Sequence, residues 1–318
     1  MTHLSKYDLV YLGQKATELG FVRDTLEKVY RLAEILEYIN TEPLLKNSLA
    51  LKGGTAINLT MFNLPRLSVD IDLDYLVTDS RAEMLSNRER INTKIEQFMA
   101  MQGYTKSPKT KTPHSLDSWV YSYFNAAGNR DNINVEINYS LRAHILPPEE
   151  RPIITEHFAS DYQVKTLATT EIFGSKINAL LSRAAARDLY DVANMIRYGI
   201  FDESEEELLR QCVVFYAAVS ATHINKTFDT GALDQLTNYK IRTDLLPVIR
   251  KREAFDLDAT KKLVKRYVGN LMKLTEPEAE FLDRFESKEY RPDLLFQQEE
   301  IVARLAKHPM ALWKMQAK

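Results

Sequence analysis

The chain has 318 residues, 45% of them hydrophobic and 27% charged, which is typical of a folded protein of one large or two modest domains. The formal charge of −2 excludes a uniformly basic nucleic-acid coat but leaves room for a local basic patch. Cys212 is the only cysteine, which excludes a disulfide framework and a cysteine-based zinc or redox pair. No stretch reaches the roughly 18–20 apolar residues that span a bilayer. We therefore expect a soluble cytoplasmic protein with no membrane partner.

Hydrophobic periodicity predicts a sheet flanked by helices in the first half of the chain. Apolar spacings of three and four residues predict helices over 7–40 and 84–102. A short apolar run at 48–51 ends at two glycines, and a short helix is predicted over 55–63. Strict alternation over 68–77 predicts a strand with one buried face. Two more strands are predicted over 119–125 and 133–139.

From about residue 170 the pattern becomes helical and stays so to the end. The clearest helices are predicted over 205–219, 259–274 and 276–285. The segment 144–152 contains three prolines and marks the best boundary between the two patterns. We expect an α+β fold, with a mixed-sheet domain at 1–150 that includes the N-terminal helices, and a mainly helical domain at 151–318.

Two carboxylates in the predicted strand over 68–77 indicate a metal site. Asp70 and Asp72 stand two residues apart, so both project from one face of the strand. Such a pair suits two-metal phosphoryl transfer, and Asp74 on the same face is either a third ligand or a solvated residue. An EF-hand is excluded because Tyr75 occupies the position that requires glycine. A strand whose polar face simply meets water remains the alternative.

A Gly-Gly turn lies upstream of these carboxylates. Gly53, Gly54 and Thr55 fall between a predicted strand and a helix, where free backbone N–H groups can cradle phosphate oxygens. The Walker A and dinucleotide-binding patterns are both absent. By itself the turn is also compatible with simple chain punctuation.

In combination, these motifs resemble the DNA polymerase β superfamily of nucleotidyltransferases. The chain carries GGT followed by D-x-D, with Asp70 sixteen residues after Gly54. The superfamily takes a third carboxylate from a neighbouring strand. Here the resemblance implies Glu136, between Val135 and Ile137, where the family more often has Asp.

A cationic stripe is predicted on the segment over 171–191. Lys176, Arg183 and Arg187 have spacings of seven and four, so a continuous helix would place them within about 20–40° of one another. Such a stripe suits the neutralisation of a triphosphate, and Asp188 and Asp191 on an adjacent face would orient the arginines or meet the substrate. A solvated amphipathic helix is the alternative.

The pattern E-x4-K-x6-R-x3-RD-x2-D, together with LKGGTA (51–56), RLSVDIDL (66–73) and HPMALWK (308–314), resembles the AbiEii/AbiGii-type nucleotidyltransferase toxins, which include the MenT toxins. The resemblance extends from about residue 45 to 314. It implies a toxin of a toxin–antitoxin or phage-defence system, a separately encoded antitoxin of the AbiEi type, and transfer of nucleotides to the 3′ end of tRNA.

The residue pattern and the resemblance together assign the roles. Asp70 and Asp72 are expected to bind two Mg²⁺ ions, with Glu136 on the ion that activates the acceptor hydroxyl. Gly53, Gly54 and Thr55 would hold the β- and γ-phosphates of an NTP, and Lys176 would neutralise the triphosphate and the departing pyrophosphate. The resemblance is the main source for four further NTP-binding residues, Arg66, Ser68, Arg187 and Asp188.

An RNA acceptor has some independent support in the distribution of charge. Residues 240–266 hold nine Lys and Arg against four acids, as phosphate contacts require, and Lys106, Lys109 and Lys111 form a second basic run. Solvated surfaces explain both runs equally well. Two other functions remain open, namely nucleotidyl transfer to a protein hydroxyl and a non-catalytic module that binds NTP or RNA.

Overall fold

The computed structural model describes residues 7–154, 161–220 and 226–316. The chain divides into two compact units. The first, which we call the sheet unit, comprises Met1–Arg142, Pro148–Leu167 and Leu246–Glu253. The second, the helical unit, comprises Ala143–Pro147, Ala168–Leu245 and Ala254–Lys318. An α+β architecture with a mixed sheet and a following helical region is therefore confirmed.

The sheet unit contains a mixed sheet of seven strands in the order β3-β4-β5-β2-β1-β7-β6. The strands are β1 (Leu49–Lys52), β2 (Asp70–Tyr75), β3 (Thr105–Lys106), β4 (Leu116–Phe124), β5 (Arg130–Asn138), β6 (Glu149–Arg151) and β7 (Val164–Thr166). Strand β2 is central, antiparallel to β1 and parallel to β5. Strands β4 and β5 form a long antiparallel hairpin.

The sheet has one buried face and one open face, as the alternation over 68–77 predicts. Ile71 and Leu73 of β2 are buried, as are Val135 and Ile137 of β5 and Trp119 of β4. The intervening residues of β4 and β5 are mostly half-buried or exposed. Since side chains alternate between the faces of a strand, Asp70, Asp72, Ser118, Asn134 and Glu136 share the open face.

The helices of the sheet unit precede β1 and follow β2. They are α1 (Leu9–Leu19), α2 (Arg23–Thr41), α3 (Pro43–Ser48), α4 (Gly53–Ala56), which continues as a π-helical turn over Ile57–Met61, and α5 (Arg81–Met101). The helix predicted over 7–40 is in fact two helices, because Gly20 adopts φ 77° and ends α1. Helix α5 begins at a capping box between Ser80 and Glu83 and anchors to β4 through Arg88, whose Nη2 lies 2.6 Å from an Asp117 carboxylate oxygen.

The helical unit contains the remaining α-helices of the described residues. They are α6 (Thr169–Arg183), α7 (Ala186–Arg197), α8 (Glu206–Ser220), α9 (Asn238–Lys240), α10 (Leu257–Leu271), α11 (Glu276–Glu286), α12 (Glu299–Leu305) and α13 (Pro309–Gln316). Cys212 on α8 is fully buried, and desolvation raises the pKa of its thiol, in keeping with a packing role. A capping box between Thr275 and Glu278 opens α11.

Each compact unit is built from three separate segments of the chain. Strand β7 belongs to the sheet although it comes after residue 150, and the segment Leu246–Glu253 returns to the sheet unit, where the carbonyl of Val248 accepts a hydrogen bond of 2.7 Å from Leu67 N. Because compactness alone does not define an independently folding domain, the division into 1–150 and 151–318 stays a prediction. None of the described helices is long and apolar enough to cross a membrane.

Candidate active site

A row of polar residues crosses the open face of the sheet on four neighbouring strands. Lys52 of β1 lies opposite Asp72 of β2, Asp72 lies opposite Glu136 of β5, and Glu136 lies opposite Ser118 of β4. Directly opposed residues share one face of a sheet. The strand register therefore brings Asp72 and Glu136 side by side although they are 64 residues apart in sequence.

Asp70 extends this row by one repeat of β2. It lies opposite Asn134 of β5, and Asn134 donates a 2.9 Å hydrogen bond to Asp70 Oδ1. The Ser118 hydroxyl donates a 2.6 Å hydrogen bond to Glu136 Oε1. Each of these bonds orients a carboxylate through a neutral partner. Asp70, Asp72 and Glu136 are all partly accessible to solvent.

Asp74 is held differently from the other carboxylates of β2. It is 1% exposed, and its Oδ1 lies 2.5 Å from Lys52 Nζ. Of the two roles expected for Asp74, the solvated one is wrong because the side chain is buried. The carboxylate of Asp74 therefore forms a buried ion pair with Lys52.

Gly53 brings the backbone against Asp72. Its φ of 68° lies in the left-handed region, and a Cβ at this position would come 2.6 Å from Asp72 Oδ2. Only glycine combines this backbone conformation with such a close approach. The Gly-Gly turn is therefore more than chain punctuation, since it lies directly against a predicted metal ligand.

Gly54 has a different reason to lack a side chain. A Cβ there would lie 2.5 Å from Arg66 Nη2 and 2.9 Å from Ser68 Oγ, so Arg66 and Ser68 pack against the turn. Arg66 is 2% exposed and donates a 3.0 Å hydrogen bond from Nη1 to the carbonyl of Leu67. These residues, predicted as NTP-binding, thus lie in close contact with the turn.

Thr55 contributes to the site in a way that its sequence position does not predict. Its hydroxyl donates a hydrogen bond to the backbone carbonyl of Asp70, and its side chain is fully buried. The Thr55 hydroxyl therefore joins α4 to the start of β2.

The predicted cationic residue of the helical unit, Lys176 on α6, is largely buried. Its ammonium lies 2.9 Å from Asp188 Oδ1 and 3.3 Å from Asp191 Oδ2. Asp188 also accepts a 2.9 Å hydrogen bond from Arg183 Nε. Burial alone would raise the pKa of Asp188, but the charges of Lys176 and Arg183 outweigh it, and the pKa lies below its usual value. The two aspartates therefore hold Lys176 in one position.

The continuous helix predicted over 171–191 is wrong. Ala184 adopts φ 45°, which ends α6, and a new helix begins at Ala186. Arg187 consequently lies on α7, and the angular argument that placed it on one stripe with Lys176 does not hold. Arg183, at the end of α6, does lie near Lys176, because both side chains contact the carboxylate of Asp188.

The described residues contain no group of three or more His, Cys, Asp or Glu gathered closely enough to hold a metal ion. Mg²⁺ is commonly bound through one or two carboxylates, completed by substrate phosphates and water. Asp70, Asp72 and Glu136 supply partly accessible carboxylate oxygens on one face of adjacent strands. This donor set fits Mg²⁺ that is shared with a phosphorylated substrate.

Sequence reasoning missed three residues that position this site, namely Lys52, Ser118 and Asn134. Each belongs to a strand neighbouring a carboxylate, and each became recognisable only through register. The one available signal is that Ser118 and Asn134 occupy polar positions of alternating segments, one residue from a buried apolar neighbour.

Comparison with known proteins agrees with this geometry. The search of curated proteins found no match. Among solved structures, the fold is similar to MenT4, a nucleotidyltransferase toxin from Mycobacterium tuberculosis H37Rv, with a TM-score of 0.62 and 16% sequence identity over 94% of this chain and 98% of that one. The profile of the family described as nucleotidyl transferase AbiEii toxin, type IV toxin–antitoxin system, matches residues 34–291. The chain belongs to the AbiEii family and is a toxin-type nucleotidyltransferase.

Proposed function

We propose that this protein transfers a nucleoside monophosphate from an NTP to the 3′ hydroxyl of an RNA, with tRNA as the acceptor, and that Mg²⁺ is required and pyrophosphate is released. Membership of the family implies an NTP substrate and an antitoxin partner. The acceptor and the metal are our proposal.

The observation that carries the proposal is the register of β2 against β5. It sets Glu136 directly opposite Asp72 on the open face, with Asp70 one repeat away and the Gly53 backbone in close contact with Asp72. Phosphoryl transfer requires charge neutralisation and positioning, without covalent chemistry on the protein. Three carboxylates that would hold Mg²⁺, beside a glycine turn that would bind phosphate, would meet both requirements.

Each residue has a defined task in this reaction. Asp70 and Asp72 would hold Mg²⁺, and Glu136 would serve the ion next to the acceptor hydroxyl. Bound Mg²⁺ supplies Lewis-acid neutralisation of phosphate charge and lowers the pKa of the attacking hydroxyl. The backbone N–H groups of Gly53, Gly54 and Thr55 would bind the β- and γ-phosphates, and Arg66 and Ser68 would keep the turn in place.

The predicted phosphate-binding residues of the helical unit are part of the same proposal. The fixed position of the Lys176 ammonium between two buried carboxylates supports it as a preorganised cation. Asp188 would orient Lys176, and Arg187 remains a candidate from the family resemblance alone.

The test is a labelling assay with the purified protein, Mg²⁺, total tRNA and each α-³²P-labelled NTP in turn. We expect label in RNA with one or more NTPs, and loss of at least 99% of the rate in Asp72→Asn, since one metal-binding contact contributes roughly 3–4 kcal/mol. Glu89→Gln, which neutralises an exposed carboxylate on α5, is the matched control. A labelled protein band without labelled RNA would instead indicate a protein acceptor.

The antitoxin in this proposal is a separately encoded protein of the AbiEi type, and the pair would act in phage defence in the cytoplasm, where the tRNA is found. Co-expression should restore the growth of cells producing the toxin. If growth is restored while RNA labelling in the lysate persists, the antitoxin acts downstream of the reaction and does not block the enzyme.

A further inference from the structure

The open face of the β4–β5 hairpin continues outward from Glu136 and carries features that suit a nucleic-acid strand. Its members are the even-numbered residues of both strands, because Ser118 lies opposite Glu136 and Phe124 lies opposite Arg130. Along β5, the six residue steps from Glu136 to Arg130 span about 20 Å. We call this surface the hairpin face.

The far end of the hairpin face presents an aromatic ring beside a cation. Phe124 is 73% exposed, although it sits on a strand where the neighbouring Tyr123 is buried. Arg130 opposite it is exposed, and its Nη2 lies 3.4 Å from Ser122 Oγ. Arg130 forms no ion pair with any residue that the structure describes. An exposed ring beside an uncompensated guanidinium is how single-stranded nucleic acids are bound, by base stacking and phosphate contact.

A second cation flanks the near end of the hairpin face. Lys111 pairs with Ser118 through two backbone hydrogen bonds of 2.8 and 2.9 Å, which places it on the same face as Ser118 and Glu136. Two strand spacings, about 10 Å, separate its Cα from that of Glu136. The side chain of Lys111 is exposed and makes no ion pair within the described part of the chain.

The order of the strands sets a direction for the two substrates. The Gly-Gly turn follows β1 on one side of the carboxylates, and the hairpin face and Lys111 lie on the other side, beyond Glu136. If an NTP is bound at the turn, the side of the carboxylates toward β4 remains open to the acceptor. An acceptor strand whose 3′ end reaches Glu136 would then run over the hairpin face.

We propose that the hairpin face binds the single-stranded 3′ segment of the acceptor RNA, with Phe124 stacking on a base and with Lys111 and Arg130 contacting phosphates. This inference rests on the proposed RNA acceptor. It adds a surface for the strand, and residues that position the RNA without taking part in the chemistry.

The experiment measures binding and turnover separately. Fluorescence anisotropy with a short 5′-labelled single-stranded RNA, in Mg²⁺ and without NTP, gives Kd for wild type, Phe124→Ala and Lys111→Gln. Phe124→Ala should raise Kd roughly 5- to 150-fold, the range for one lost base stack. Lys111→Gln should lower the slope of log Kd against log salt by about 0.7, as expected for one lost phosphate contact. In the labelling assay, KM for RNA should rise in both variants while KM for NTP stays unchanged.

Two variants off the hairpin face are the controls. Lys106→Gln removes an exposed cation. Lys106 lies opposite Tyr121 in the register of β3 and β4, so it is on the opposite face of the sheet. Met101→Ala removes an apolar side chain that is 75% exposed. Neither should change Kd by more than twofold. If wild type labels RNA but Phe124→Ala and Lys111→Gln bind RNA as wild type does, the inference is wrong and the proposed function stands. If wild type labels no RNA, the proposed function itself fails.

Discussion

Gly53→Ala tests two reasons for glycine in the Gly-Gly turn, namely the positive φ and the close approach to Asp72. The added Cβ would come 2.6 Å from Asp72 Oδ2, whereas ordinary van der Waals contact begins at 3.4 Å. The Asp72 carboxylate or the turn must therefore shift by about 0.8 Å, the difference between those two distances. The residue would also be held at φ 68°, which for an L-residue costs about 1–2 kcal/mol.

The matched control is Gly103→Ala, which has φ 80° and nothing within 4 Å of its added Cβ. It carries similar backbone strain without the contact to Asp72. Both variants should therefore lose about 1–2 kcal/mol in the free energy of unfolding, measured by urea denaturation. Only Gly53→Ala should lose nucleotidyl transfer, by about 100-fold, because a 1 Å displacement of a reacting group has an effect of that size.

The comparison is read from the initial rate of label transfer at a temperature where both variants are folded. A rate in Gly53→Ala within twofold of that in Gly103→Ala would refute the reasoning. It would mean that the position of Asp72 relative to the turn has no bearing on the reaction.

Two further predictions concern the helical unit. Lys176→Met should destabilise the protein by about 3–5 kcal/mol in urea denaturation, because it leaves Asp188 and Asp191 buried without their central cation. Arg183→Met, which removes a side chain that is 66% exposed, should cost less than about 1 kcal/mol; equal losses would contradict this account. The pKa of His308 is lowered to about 4, mainly by burial and secondly by the neighbouring His144, while the charge of Glu171 acts in the opposite direction. The unfolded state binds the proton more tightly than the folded state does. His308 therefore adds up to about 3 kcal/mol to the free energy of unfolding above pH 6.5, and this contribution is lost as the pH falls from about 6.5 to 4. His308→Gln should flatten the pH dependence of unfolding over that interval, and a slope unchanged from wild type would show that His308 does not titrate as proposed.

Much of the local structure could be predicted from the sequence because it depends on short-range periodicity. The alternation over 68–77 predicted β2 with its buried and open faces, and α5, β4, β5 and α11 lie where apolar spacing placed them. The short strands β3, β6 and β7 were missed. Segments of two or three residues carry too little pattern to be recognised, and they exist because a neighbouring strand supplies their hydrogen bonds.

Two helix ends were also not predicted from the local sequence pattern. Gly20 is a recognisable stop, but its position inside a long apolar pattern concealed it. Ala184 ends α6 in a left-handed conformation although alanine has the highest helix propensity. Tertiary contacts of the flanking helices must compensate for this strain, and no local pattern reports them.

The candidate site divides in the same way. Local spacing alone predicts that Asp70 and Asp72 share a face, because side chains two residues apart on a strand always do. The sequence also placed a glycine turn before them. That Glu136 lies opposite Asp72, that Asp74 is paired with Lys52, and that Gly53 touches Asp72 were decided by the tertiary structure. Strand register and the closure of long loops bring together residues far apart in the chain, and they are set by packing of the whole sheet, which no local spacing encodes.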